Sequence, residues 1–177
     1  IIQTVYPEAG SPVIDRAYLG AIARAHEAVG FDRVLIGYQS SSPDGFQVAA
    51  YAAAQTERIH FLLAHRPGFV APTLAARQLA TLDQLSGGRL AVHIITGGAD
   101  HEQQRDGDFL GKAERYARSD DYLDVVKKSW TSSSPFDHDG PHYRVRDSFS
   151  AVKPLQQPHI PVFFGGSSDE AIAVAGK

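Results

Sequence analysis

The sequence contains no cysteine, no methionine and only one tryptophan among its 177 residues. Without cysteine it can form no disulfide, no cysteine-ligated metal site and no thiol nucleophile. No stretch reaches the roughly 20 consecutive apolar residues that a transmembrane helix needs. The first residues also lack the basic segment followed by an apolar one that marks a secretory signal. These absences predict a soluble protein, and we expect it in the cytoplasm.

Charge is nearly balanced along the chain. Lys and Arg number 17 against 20 Asp and Glu, which gives a net charge of -3. A chain this close to neutral has no electrostatic reason to bind nucleic acid or an anionic membrane surface. Its length and its 43% of apolar residues suit one ordinary domain with a sizeable core.

Short apolar runs alternate with segments whose apolar residues recur every three or four positions. Continuous apolar runs are typical of parallel strands covered on both faces, and the wider spacing is typical of helices. Strands are predicted at 1–5, 33–37, 59–64, 89–95 and 160–164, and helices at 15–29, 46–54, 72–85 and 116–130, with a further helix after residue 167. This order predicts an α/β fold with a parallel sheet, either doubly wound or closed as a barrel.

Three connecting segments stand out. Ser42 precedes a proline, which predicts the N-cap of the second helix. Residues 96–110 are rich in charge and glycine and longer than an ordinary connection, so they predict a mobile gate over a site. Residues 131–158 predict an excursion with a small hairpin, in which His138 and His142 are expected to be exposed.

The ends of the predicted strands are the candidates for a site, because ligands of both architectures lie at the carboxyl ends of parallel strands. The most specific pattern is the Gly-Gly-Ser-Ser sequence at 165–168, where glycines allow backbone N–H groups to approach an anion and two hydroxyls add donors. This pattern favours phosphate binding, and the alternative is a helix N-cap whose glycines only turn the chain. Thr96 and Gly97 end the preceding strand in a similar way.

Other polar residues give weaker signals. His65 and Arg66 follow a predicted strand, where they could meet an anionic substrate, and the alternative is a solvated loop with His65 bonded to backbone. Ser42 has no His and Asp partners visible by motif. His101 and Glu102 lack the second histidine, four residues on, that a zinc metalloprotease helix requires. We therefore expect no metal site.

Several stretches together are similar to one family. They are His65-Arg66-Pro67 with residues 72–89, Ile-Thr-Gly-Gly at 95–98, Glu-Arg-Tyr at 114–116, and Gln-Gln-Pro at 156–158 leading to Phe164 and residues 165–169. They resemble the bacterial luciferase-like flavin monooxygenases, most closely the alkanesulfonate monooxygenase branch.

The resemblance implies a luciferase-like (β/α)8 TIM barrel. Such barrels need about 250 residues, so residues 1–177 would supply the first five or so βα units, as the N-terminal part of a single domain. The resemblance also implies reduced FMN as co-substrate, and a flavin–oxygen adduct formed with O2 that oxidises a small organosulfur substrate such as an alkanesulfonate. An NAD(P)H-dependent flavin reductase is the implied partner, and a homodimer or homotetramer the implied assembly.

Site residues follow from the same resemblance. Those implied to bind FMN are Ala64, Thr96, Gly97, Tyr116, Gly166, Ser167 and Ser168, with a non-proline cis peptide bond between Leu63 and Ala64 beneath the flavin. Those implied to contact substrate are Ser42, His65 and Arg66. The alkanesulfonate branch carries cysteine in place of Ser42 and leucine in place of His65, which leaves the substrate open. Its catalytic histidine, arginines and tyrosine fall outside these 177 residues, so no catalytic residue is assigned.

Three other functions remain open. A deazaflavin (F420)-dependent oxidoreductase of the same superfamily would transfer hydride without O2, and some luciferase relatives bind flavin without turnover. A barrel acting on a phosphorylated metabolite would also explain the Gly-Gly-Ser-Ser strand end, but no strand end offers a lysine for Schiff-base chemistry.

Overall fold

The computed structural model describes residues 14–177, so the strand predicted at 1–5 lies outside the described residues. The elements follow in the order α1 (Arg16–Ala28), β1 (Arg33–Ile36), α2 (Gly45–Ala53), β2 (His60–His65), α3 (Pro72–Leu85), β3 (Leu90–Ile94), α4 (Asp100–Arg105), α5 (Lys112–Thr131), β4 (Phe136–Asp139), β5 (Arg144–Ser148), β6 (Val162–Phe164) and α6 (Asp169–Ala175). The alternation of strand and helix predicted from the sequence is confirmed for this part of the chain.

The strands form two sheets. The larger sheet is parallel with the order β1-β2-β3-β6, and the smaller is the antiparallel pair β4-β5. Successive strands of the parallel sheet lie side by side in chain order, without the reversal that a doubly wound sheet shows at its switch point. This order is that of a barrel wall, so of the two architectures left open by the sequence the barrel is correct.

The two faces of the parallel sheet differ. Leu63 and His65 point toward the helices, since Leu63 lies beside Gly45 of α2 and the His65 ring contacts the ring of Phe46. Alternation along the strand places Ala64 on the opposite face, the barrel interior, where it pairs with His93 of β3.

The helix α5 packs against α3 in the helix layer. The positions 116, 119, 123, 126 and 130 follow the three-four spacing of one helix face and are all buried. Trp130 donates its indole N–H to the carbonyl of Ala76 in α3, at 2.9 Å. The buried face of α5 thus packs on α3, and its first turn reaches the carboxyl end of the sheet.

Aspartates cap the first two helices. The Asp15 carboxylate accepts the N–H of Tyr18 at 2.9 Å, and the Asp44 carboxylate accepts that of Gln47 at 3.0 Å. The prediction of Ser42 as the second N-cap is therefore wrong. The Asp44 carboxylate satisfies the free N–H of Gln47 in the first turn, so α2 begins after it.

The segment between α5 and β6 forms the β4-β5 hairpin, and a buried aspartate attaches it to α5. Asp121 accepts the backbone N–H groups of His142 and Tyr143 at 2.7 and 2.8 Å, and its other oxygen lies 2.6 Å from Nε2 of His138. The prediction that His138 is exposed is wrong, because this contact buries it to 9% exposure, while His142 is exposed.

A second buried aspartate guides the chain back into the sheet. The Asp83 carboxylate, near the end of α3, accepts the N–H groups of Leu155 and Gln156 and the side-chain amide of Gln156, at 2.6 to 3.2 Å. These bonds fix the chain just before β6.

Among residues 14–177, no helix combines the length and the apolar character needed to cross a membrane.

Candidate functional site

A cavity of about 580 Å³ opens at the carboxyl ends of β3 and β6. Its volume lies within the range of small-molecule sites. The residues that line it are Arg66, Ile95, Thr96, Gly97, Gly98, Lys112, Tyr116, Gly165, Gly166, Ser167 and Ser168. The structure therefore brings together seven of the ten site residues named from the sequence. The others, Ser42, Ala64 and His65, are not in this lining.

A cleft of similar size, about 610 Å³, lies near the amino ends of β1 and β2. The Glu27 carboxylate in its wall already accepts the backbone N–H groups of residues 57, 58 and 59. Those bonds hold the pKa of Glu27 below its usual value. Ligands of parallel sheets bind at the opposite edge, so we take the cavity at the carboxyl ends as the candidate site.

Two glycines give the cavity its shape. Gly166 has φ 137°, and a Cβ there would lie 2.7 Å from Cβ of Ala171 and 2.8 Å from the Tyr116 hydroxyl. Gly97 has φ 82°, and a Cβ there would overlap the side chain of Gln103. At Gly166 both space and backbone conformation disfavour a side chain, and at Gly97 the positive φ does so.

The hydroxyl groups of the cavity come from three elements. Ser167 is exposed, whereas Ser168 is half-buried and caps α6 by accepting the N–H of Ala171 at 3.4 Å. Thr96 and Tyr116 are buried, and the Tyr116 ring lies 6.0 Å from that of Phe164. A hydroxyl can donate as well as accept, so this wall offers several donors to an anion.

Lys112 is a lining residue that the sequence analysis missed. It is the first residue of α5 and lies four positions before Tyr116, and its ammonium is 6.0 Å from the centre of the Tyr116 ring. The spacing of four residues was the available signal, since it places two side chains on one helix face. Lys112 adds a positive charge beside the serine hydroxyls.

Arg66 enters the cavity from the end of β2. Its side chain is only 6% exposed, and Nη2 forms a 2.5 Å ion pair with Glu102 of α4. Its guanidinium lies 4.4 Å above the centre of the Tyr38 ring. Nε and Nη1 of Arg66 are buried and have no hydrogen-bond partner among the described residues. A buried guanidinium with free donors is suited to an anionic ligand.

Tyr38 connects this cation to α4. Its hydroxyl donates to Asp106 at 3.1 Å. Burial, and next the hydrogen bond to Asp106, raise the pKa of Tyr38 to about 12, so the phenol stays protonated at neutral pH. The Tyr38 ring thus forms a neutral cover over the guanidinium.

His65 does not reach the cavity. It is 3% exposed on the helix side of β2, where Nε2 lies 2.7 Å from the hydroxyl of Tyr122. Burial lowers the pKa of His65 to about 4, so the ring is neutral near pH 7. The expectation that His65 contacts substrate is corrected by this placement, because strand alternation turns it away from the site.

Ser42 and Ala64 also lie elsewhere. Ser42 is exposed in the loop before α2, outside the cavity lining. Ala64 lies on the interior face of β2, and its peptide bond to Leu63 is trans, so the predicted cis bond is wrong. The regular pairing of β2 with β3 continues through both residues, which keeps this backbone extended. The cis bond of the described residues is Gln157-Pro158.

The segment predicted as a mobile gate forms ion pairs and hydrogen bonds with α5. It contains α4, and Arg115 of α5 binds Asp100 at 3.0 Å and the carbonyl of Leu110 at 2.6 Å. Asp108 forms a 2.5 Å ion pair with Arg118. Several charged residues of this segment therefore pair with α5 beside the cavity, and its mobility stays a prediction.

The chain matches the family described as luciferase-like monooxygenase over residues 3–177. This chain belongs to that family. Three solved structures show the fold. A riboflavin lyase (RcaE) with modified FMN and riboflavin has 22% identity and a TM-score of 0.78, over 92% of this chain and 46% of that one. The long-chain alkane monooxygenase LadA has 20% identity and a TM-score of 0.82, over 92% and 47%.

The third structure is an F420-dependent secondary alcohol dehydrogenase in complex with an F420-acetone adduct. It has 23% identity and a TM-score of 0.79, over 90% of this chain and 51% of that one. The chain thus spans about half the length of these structures. The expected fold, part of a luciferase-like barrel, is confirmed. The likeness includes proteins of two cofactor types, so it does not by itself select a cofactor.

Proposed function

We propose that the chain is the flavin-binding part of an FMNH2-dependent monooxygenase that uses O2 to oxidise a small organosulfur compound, an alkanesulfonate being the best fit. The observation that supports this most is the cavity itself. It combines a glycine cradle with hydroxyl donors at one side and a buried guanidinium with free N–H groups at another. One side suits a phosphate group and the other a second oxyanion.

The cavity residues fit FMN in kind. Gly166, Ser167 and Ser168 would hold the phosphate, with Tyr116 and Lys112 completing that side. Thr96 and Gly97 would contact the phosphate or ribityl chain, and Ala64 would lie beneath the flavin ring on the interior face of β2. When bound, reduced flavin would supply the electrons that activate O2, and the chemistry at the reacting atom is the cofactor's.

The protein's own task is then to bind, orient and exclude water. The barrel interior beside Ala64 is formed by the sheet, and α4 contacts the cavity residues Arg66 and Gly97 through Glu102 and Gln103. Arg66 would orient an anionic substrate group through Nε and Nη1. Excluding water limits side reactions of the activated oxygen. The buried position of Arg66 suits such a site, because its guanidinium can bind an anion without exposure to bulk water.

Flavin titration tests the phosphate assignment. Replacing Ser167 and Ser168 together with alanine should weaken FMN binding by about 1–3 kcal/mol for each lost charge-assisted bond. Ser133→Ala is the matched control, because Ser133 is exposed and outside the cavity. Fluorescence quenching of FMN gives the dissociation constants. Equal FMN affinity in the double variant and the control would refute the assignment.

An F420-dependent oxidoreductase is the second candidate, supported by the fold shared with the F420-dependent dehydrogenase. Spectroscopic titration with FMN and with F420 separates the two. Oxygen consumption with reduced FMN and an alkanesulfonate would favour the monooxygenase. Hydride transfer to F420 without oxygen uptake would favour the second candidate, and FMN binding without turnover would indicate a flavin-binding protein.

We also propose the partners. An NAD(P)H-dependent flavin reductase would supply reduced FMN, and two or four copies of the chain would associate. The groove between α2 and α3 is the candidate contact, since Phe46, Ala50, Leu82 and Leu85 line it and Leu85 is 74% exposed.

A further inference from the structure

One carboxylate joins the loops that follow three consecutive elements of the sheet. Glu102 lies in α4, which follows β3, and its Oε2 is 2.5 Å from Nη2 of Arg66, just after β2. Its Oε1 accepts the backbone N–H of Ser40, in the loop after β1, at 2.8 Å. Glu102 is 18% exposed. A single side chain thus fixes Ser40 and Arg66 relative to each other.

Both partners of Glu102 carry unused polar atoms. The Ser40 hydroxyl and Nε and Nη1 of Arg66 are buried and have no hydrogen-bond partner among the described residues. Folded proteins leave few buried donors without a partner. Here three such donors belong to two side chains that the same carboxylate binds, which indicates a place for a ligand. Arg66 lines the cavity and Glu102 holds Ser40 beside it, so these buried donors lie in the wall next to the space where a substrate would enter.

The charge of Glu102 supports this arrangement. Burial alone would raise the pKa of Glu102, but the hydrogen bonds from Arg66 and from the Ser40 N–H, together with the Arg66 charge and the neighbouring Ser40 hydroxyl, outweigh it and leave the pKa below its usual value. The carboxylate therefore stays ionised at neutral pH and cannot donate to a ligand. The groups left to bind one are the hydroxyl and the guanidinium, and both can donate to oxygen.

We propose that Ser40 and Arg66 form an oxyanion subsite for the sulfonate or carboxylate head group of the substrate, and that Glu102 is its positioning residue. The identification of the ligand as substrate rests on the proposed function. The subsite is separate from the glycine cradle at 165–168, which has hydroxyl donors of its own. An uncharged substrate would leave the Arg66 donors unpaired, so the subsite selects for an anion.

Ligand binding by four variants tests the proposal. The probes are pentanesulfonate and its uncharged analogue 1-pentanol, measured by calorimetry, with FMN titrated in parallel. Glu102→Gln should weaken pentanesulfonate binding about tenfold, because the guanidinium loses its charged anchor. Ser40→Ala should weaken it about threefold to tenfold and leaves the ion pair intact. The control is Glu57→Gln, an exposed glutamate at the other end of the sheet.

The expected pattern has features that a merely structural role would not produce. The preference for pentanesulfonate over 1-pentanol should fall in both site variants, while FMN affinity and the affinity for 1-pentanol stay within twofold. In turnover, KM for the sulfonate should rise while kcat changes little. Arg66→Lys, which keeps the charge but loses the planar donors, should retain only part of the preference.

The outcomes distinguish the two proposals. Unchanged pentanesulfonate affinity in both Ser40→Ala and Glu102→Gln would overturn the subsite, even if FMN binds as proposed. A loss of FMN affinity in place of pentanesulfonate affinity would also overturn it, since the free donors would then belong to the phosphate. Failure of the wild-type protein to bind FMN would instead refute the proposed function, and a sulfonate preference lost in the variants would still support the subsite.

Discussion

Neighbouring residues at the carboxyl end of β2 have different surroundings, and the alternation of the strand explains why. Ala64 faces the barrel interior and His65 the helices, while Arg66, just beyond the strand, reaches the cavity. The sequence places all three residues at a strand end. The face of the sheet to which each side chain points depends on the strand register, and a shift of one residue exchanges the two faces. The sequence therefore predicted correctly that Arg66 lies at the cavity, but it could not show that His65 points away from it.

Burial of His65 makes stability depend on pH. The folded pKa of about 4 lies below the ordinary value of 6.5. Between these values the unfolded chain binds a proton that the folded chain does not, so the free energy of unfolding falls as pH drops from 6.5 to 4. The shift corresponds to about 3 kcal/mol. This stability is fully present above pH 6.5.

The variant His65→Gln tests this dependence, because glutamine can still bond the Tyr122 hydroxyl but does not titrate. Urea denaturation of both proteins at several pH values should show a smaller loss of stability in the variant between pH 6.5 and 4. Identical pH profiles would contradict the assignment of a neutral, buried His65.

At the scale of elements, α5 connects the cavity to the hairpin. Its first turn presents Lys112 and Tyr116 to the cavity, and Asp121 holds the β4-β5 hairpin farther along. The helix itself was predictable, because its apolar spacing persists over four turns. The attachment of the hairpin was not, since it depends on a carboxylate that the sequence does not connect to residues 142 and 143.

The contact at Asp121 should contribute strongly to stability. Asp121→Ala removes the acceptor of two backbone N–H groups and the partner of His138, so we expect a loss of about 2–4 kcal/mol in the free energy of unfolding. Asp124→Ala is the control, an exposed aspartate on the same helix. Urea denaturation measures both. A loss no larger than that of the control would show that the hairpin is held by its other contacts.

At the scale of the whole molecule, continuous apolar runs in alternation with helices predicted a parallel α/β fold, and the observed strand order selects the barrel. Most of the candidate cavity was also predictable, because the carboxyl ends of parallel strands meet at one edge. What the sequence could not supply is the folding of residues 96–110. Ion pairs between α4, α5 and the strand ends decide that structure, and the sequence does not show which of its many charged residues form a pair.

We predict that copies of the chain associate through the groove between α2 and α3. Leu85→Glu would place like charges together in a symmetric contact, so the oligomer should dissociate toward a monomer. Leu155→Glu is the control, since Leu155 is 56% exposed and outside the groove. Sedimentation or light scattering measures the mass. An unchanged oligomer in Leu85→Glu would place the contact on another face.

The bonds of Asp83 have a consequence for the candidate cavity. They fix residues 155 and 156 at the amino end of the sheet, and the chain then runs through β6 to the glycines at 165 and 166. The strand β6 is short, with a rise of about 3.3 Å per residue, and it connects the Asp83 contact to these glycines. The position of the serine hydroxyls is thus set partly from the far end of the barrel wall, by a carboxylate that no ligand in the cavity could touch.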